Sequence, residues 1–205
     1  MKSTEIKVTS SGLGMEDALA LTEQFASSEG LEGNELLRLR LLAEELIGMM
    51  RGIAGNVEAV YSIEGEGNKY ALHLKADVRI TRELHDQLIA VSTRGENAVA
   101  RGFMGKIREM IAVALLPKQD GLSFMESFSL GMVSAAGFTT PDAQMISAET
   151  FNWSLSQYKS GIDKDSEEAE KAWDELEKSI VASIADEVIV RVTGSCAEIT
   201  ICKTF

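Results

Sequence analysis

A chain of 205 residues, 45% hydrophobic and 25% charged, has an ordinary globular composition and is long enough to bury one sizeable core. Its net charge of −12 argues against nucleic acid as the main partner, because phosphate backbones are held chiefly by Lys and Arg. No apolar run approaches the ~20 residues of a bilayer span, and the opening MKSTEIKVTSS lacks the apolar stretch of a secretory signal, so neither a membrane partner nor export is expected.

Glu5 to Thr9 alternates weakly and predicts a strand. Met15 to Ser27 predicts a helix through Leu19, Ala20, Leu21 and Phe25, ended by Gly30. Asn34 is the expected N-cap of a longer helix reaching about Ile53. Its buried stripe is Leu39, Leu42, Leu46, Met49 and Ile53, widened by Leu36, Leu37, Leu41, Ile47 and Met50, which makes it central and apolar on more than one side. The period then changes. Val57 to Glu64 and Tyr70 to Val78 alternate about the turn Gly65-Glu66-Gly67-Asn68, the pattern of a β-hairpin.

Thr81 is positioned to cap a short helix with Leu84, Leu88 and Val91 inward. The segment Ser92–Arg108 holds Gly95, Gly102 and Gly105. It carries Arg94, Arg101, Lys106 and Arg108 against Glu96 alone, a local charge of +3 in an acidic chain. It runs into a helix expected from Phe103 to Leu115. Glycines and a helix N-terminus together offer backbone N–H groups to an anion such as a phosphate; a glycine-punctuated turn with a solvated basic rim is the alternative. Residues 118–165 hold scattered aromatics and predict short helices or strands packed on the body. Ser166 to Ala185 reads as one helix with Ala169, Trp173, Leu176, Ile180 and Ile184 on one side. Val188–Val192 and Ala197–Cys202 make a closing hairpin about Thr193-Gly194-Ser195. Cys196 and Cys202, at i and i+6 of that last strand, share a face but cannot bridge each other, so they read as free thiols of a reducing, cytoplasmic compartment.

These elements predict a single α+β domain over residues 1–205. It is a two-layer sandwich, a mainly antiparallel sheet with helices on one face, without an internal repeat or a Pro- or Ser-rich linker. A core motif region spans about 34–115, an irregular insertion about 118–165, and the closing helix and hairpin 166–205.

Familiar catalytic constellations are missing. His73 and His85 are the only histidines, with no second ligand at zinc spacing, so no metal site is expected. There is no G-x-S-x-G elbow, and Gly105-Lys106 is followed by Ile107 while Ala100 stands where a phosphate loop needs glycine. Glu44 and Glu45 interrupt the apolar face of the long helix. Glu45, one turn before Met49, is a candidate general base if it is buried, or else a carboxylate that reaches water beside Arg38 or Arg40.

The order of elements resembles the ATP-binding fold of the GHKL superfamily, which includes histidine kinases, heat-shock chaperone ATPases and the small anti-sigma-factor kinases. LLAEELIGMM places Glu45 at the family's helix Glu. Val57–Glu64 and Tyr70–Val78 stand for its strands, Ser92–Asn97 resembles its lid, and ARGFMGKIREMI resembles its last glycine box with the following helix. The resemblance implies ATP as ligand, held by Asp77, Gly95, Asn97, Arg101, Gly102, Gly105 and Lys106, with Glu45 as base, and activity of an ATPase or serine-kinase kind. Two positions depart from it. Met49 occupies the place of the magnesium-binding Asn, and Asp77 is followed by Val78-Arg79-Ile80-Thr81 rather than a glycine box. The implied protein is therefore a nucleotide-binding regulator with weak or no turnover. The alternative is a non-catalytic interaction module that keeps the fold, with a protein partner or a second copy of itself.

Overall fold

The computed structural model describes residues 1–52, 57–78, 150–162 and 167–205, and in between them Phe103, Gly105, Ile107, Ile111 and Leu115. The expected helix around 81–91 lies outside the described residues. Among those described, the fold is α+β: six strands in one antiparallel sheet and five helices.

β1 (Ile6–Thr9) leads through Gly14 into α1 (Met15–Ser28). Gly14 is required there. Its φ is +78°, and a Cβ would stand 2.0 Å from the Lys7 carbonyl oxygen, so any side chain collides with the strand the helix has just left. Gly30 (φ +84°) ends α1 as expected, and Leu31 N–H donates back to the Ala26 carbonyl at 2.9 Å. α2 (Gly33–Gly48) starts one residue before Asn34 and buries Leu39, Leu42, Ala43, Leu46 and Ile47. It gives way at Gly48 to a 3-10 turn, Met49–Gly52, which carries the apolar stripe on through Met49 and Met50.

The hairpin β2 (Glu58–Glu66) and β3 (Lys69–Asp77) forms as the alternation requires. Ala59, Tyr61, Ile63, Tyr70, Leu72, Leu74 and Ala76 are all buried on one face. Of the aromatic region, β4 (Thr150–Ser154) and α3 (Leu155–Gly161) are described, the latter capped by Ser154 Oγ accepting from Gln157 N–H at 3.3 Å. The single helix expected over 166–185 is two: α4 (Glu167–Lys178) and α5 (Ile180–Ile184). Ser179 breaks it, because its extended backbone lets the hydroxyl accept from Ala182 N–H at 3.2 Å and start a new helix. β5 (Glu187–Thr193) and β6 (Cys196–Thr204) are the closing hairpin.

Strand order is β1-β2-β3-β6-β5-β4, every pairing antiparallel. A repeat that the sequence reading did not find is built into this order. The units β1-α1-α2-β2-β3 and β4-α3-α4-α5-β5-β6 follow the same path, meeting along β3 and β6. Gly67 (φ +63°) and Gly194 (φ +58°), 127 residues apart, make the same turn. The same offset carries the pairs Tyr61↔Leu74 and Ile63↔Leu72 onto Val188↔Ile201 and Val190↔Ile199. It also carries His73 onto Thr200, its own partner across the seam, so the local two-fold axis passes between them. Between residues 58–77 and 185–204 the offset aligns one identical pair, Gly67 with Gly194, so the repeat survives as alternation and turn chemistry rather than as identity.

The helices cover the face that presents Tyr61, Leu72, Val190 and Ile201. α2 lies over the central strands β3 and β6. In the first half, Thr22 Oγ1 donates to the Ala18 carbonyl at 2.8 Å and stands 2.7 Å from the Tyr61 hydroxyl. With its one proton committed, Thr22 accepts from Tyr61, and burial drives the phenol's pKa well above its ordinary value. In the second half, Trp153 and Tyr158 stack at 5.9 Å and enclose Phe103, which lies 5.9 and 6.5 Å from them.

Candidate functional site

The place to look is where α2 ends over the middle of the sheet. Glu45 sits one turn before Met49 and is half-buried, so it is neither the sealed carboxyl of the base reading nor a fully solvated one. Met49 and Met50 turn inward. With Leu74 and Ala76 of β3, Val78 just after it, Ala197 and Ile199 of β6, and Ile111, they line an apolar cavity of about 30 Å³. That is room for about one water and no polar group to hold it. A thioether among aliphatics supplies none of the oxygen ligands that Mg²⁺ demands, so Met49 and its surroundings do not fit the metal of the resemblance.

Asp77 lies elsewhere. Successive strand residues face opposite sides of a sheet, and Ala76 and Val78 point at the cavity, so Asp77 points away from it on the side that α2 does not cover. There it is exposed and accepts a 2.6 Å hydrogen bond from Ser195 Oγ, while Val78 N–H donates to the Ser195 carbonyl at 2.8 Å. Asp77 thus clamps the end of β3 to the β5–β6 turn. Glu45 and Asp77, which the nucleotide reading needs in one pocket, belong to opposite sides of the sheet.

Gly105 is helical and buried along with Phe103, Ile107 and Ile111, so the expected helix after the glycine-rich stretch is present in these residues. Gly95, Asn97, Arg101, Gly102 and Lys106 lie outside the described residues.

The side of the sheet away from α2 holds two further groups. His73, at the pseudo-axis, places Nδ1 3.1 Å from Thr200 Oγ1 and Nε2 3.2 Å from Glu64 Oε1, an ion pair when the ring is protonated. Cys196 and Cys202 are free and share this side, as expected from their spacing. Burial, then Glu187, Asp186 and Glu64, push the Cys202 thiol up, which makes it a poor nucleophile. Among the described residues no cluster of His, Cys, Asp or Glu has metal-binding geometry, and no helix is long and apolar enough to cross a membrane.

Sequence reasoning missed the pairing of Asp77 with Ser195, which joins residues 118 apart and leaves no local signal. The orientation of Asp77 was available from the alternation of its strand. Comparison with family models, with curated proteins and with solved structures finds no match to this chain.

Proposed function

We propose that the chain is a non-catalytic protein-interaction module that uses an α+β scaffold without turning over nucleotide. The observation that carries this reading is the apolar filling between the end of α2 and the sheet: Met49 and Met50 against Leu74, Ala76, Val78 and Ile199. Phosphates and a hard cation need donors and oxygen ligands at that point, and a small cavity with an apolar lining gives a nucleotide no purchase. Asp77, committed to Ser195 on the other side of the sheet, adds support.

Calorimetric titration with ATP, with and without Mg²⁺, tests it. No saturable heat is expected at millimolar ATP. Saturable binding that Lys106→Glu abolishes would overturn the reading in favour of the nucleotide regulator, with phosphates on the helix start at Gly102–Lys106.

A further inference from the structure

The two sides of the sheet differ in access. On β2, β3, β5 and β6, Tyr61, Leu72, Val190 and Ile201 belong to the buried helix side, whereas on the other side every residue except Ser62 is exposed or partly exposed. A solvated face normally carries long polar side chains throughout. Here the middle is low: Val60, Ala71, Thr200, Cys202 and Ile189 are short or apolar and only partly exposed, so a second flat surface can approach them.

The pairing register places the charges on this side. Ser62, His73, Thr200 and Ile189 form the middle cross-strand row. Lys75, Glu198 and Arg191 form the row on one side of it, and Glu64 and Glu187 belong to the row on the other. On the edge strand, Lys7 adds to the first row and Lys2, opposite Glu64, to the second, so the sign still reverses across the middle. The geometry points to this side of the sheet as a self-complementary interface for a second copy of the chain, related by a two-fold axis along the middle row. This rests on the interaction-module reading and supplies its surface and its partner.

Turned about that axis, each strand lies over its own copy with its direction reversed, and the middle row meets itself. Arg191 then comes over Glu187 of the second copy, Lys75 beside Glu64, and Asp77 over Lys69, each twice. The like-charged pair, Glu58 over Glu66, falls at the exposed rim. Turning about the strand direction would pair Lys75 with Glu198 but set Glu64 against Glu187 and leave Arg191, Asp77 and Lys69 without opposite charges. Six strands about 4.8 Å apart, with rows about 6.8 Å apart, give roughly 500 Å² a side and about 1,000 Å² over both copies, the low end for a specific interface. A weak, concentration-dependent dimer is the expected form.

Sedimentation velocity of the full chain tests it, in about 0.15 M salt so that repulsion between distant acids is screened. A reversible monomer–dimer equilibrium with a Kd of about 10–100 μM is expected. Arg191→Glu, which sets an acid over Glu187 at both ends, and Ile189→Ser, on the axis, should each raise that Kd at least tenfold. Arg191 is exposed, so its variant is expected to keep the wild-type melting curve. Lys178→Glu makes the same charge change on α4, in the helical layer, and should leave the dimer as it is. A chain that stays monomeric at every concentration, a dimer indifferent to both sheet variants, or one that Lys178→Glu breaks equally would each overturn the proposal. None of these readings involves ATP, so loss of the dimer and saturable nucleotide binding are separate failures.

Discussion

The two halves of the molecule share a sheet and differ in what covers it. β2-β3 and β5-β6 superimpose in register, in the burial of alternate residues and in the left-handed glycine of the turn. Their helices do not correspond. The first half has two long helices of 14 and 16 residues, tied down by a buried Tyr61–Thr22 hydrogen bond. The second, among the described residues from β4 onward, has three helices of 7, 12 and 5 residues, and it fills the equivalent space with Trp153 and Tyr158. A β-strand tolerates any side chains that keep the alternation, whereas a helix on top of it must match a particular surface. The sheet therefore preserves the symmetry, and the helical layer carries what distinguishes one half from the other.

The strongest way to break this comparison is in the core. Leu72→Ala and its counterpart Ile199→Ala are both expected to cost about 2–5 kcal/mol in urea unfolding, with one transition and an unchanged slope, because both side chains sit in the shared core. Two resolved transitions would mean that the halves unfold independently. A smaller and sharper probe is the pair Gly67→Ala and Gly194→Ala. Nothing lies within 4 Å of a Cβ at either position, so the cost is conformational alone. It should be about 1–2 kcal/mol at each and equal between them within roughly 0.5 kcal/mol. A large inequality would show that the two turns are alike in shape but not in strain.

The smallest effect tests where the halves part. Asp186 maps onto Ala59 and has no equivalent charge in the first half. Burial pulls its pKa upward, but a 2.7 Å bond from Lys203 and a 2.6 Å bond from Thr204 N–H prevail and hold the carboxyl below its ordinary value. A depressed folded pKa means that its stabilisation is present above the unfolded value near 4 and is lost as pH falls through the folded one. The carboxylate is 44% exposed, so solvent screening leaves under about 1 kcal/mol. Asp186→Asn should lower the melting temperature slightly at neutral pH and remove this part of the acid slope. An unchanged acid slope in the variant would count against the pair.

Much of the fold was legible because it follows from period. Tyr61, Ile63, Leu72 and Leu74 alternate, and Gly67-Asn68 can turn, so the first hairpin could be read directly. The break at Ser179 could not, since the apolar stripe runs through it from Leu176 to Ile180 and Ile184, and only the serine's capping geometry stops the helix. The repeat was hidden because strands need only alternation, and Val188 serves where Tyr61 does. Of the candidate site, the direction of Asp77 was implicit in its neighbours Ala76 and Val78. That Met49 would close an apolar cavity required knowing that α2 crosses β3 and β6, a contact between distant segments that no local pattern encodes.

The seam between β3 and β6 also sets a timetable for synthesis. Asp77 completes β3, yet its partner across the seam is Cys196, 119 residues further along. At a translation rate of about 5–20 residues per second, the far edge of β3 waits roughly 6–24 s for the strand that will pair with it. Throughout that interval Leu72 and Leu74 sit on a strand with one row of unpaired backbone groups, the arrangement most open to capture by another chain. The nascent first half therefore has to be kept apart from its neighbours until its own distant counterpart arrives.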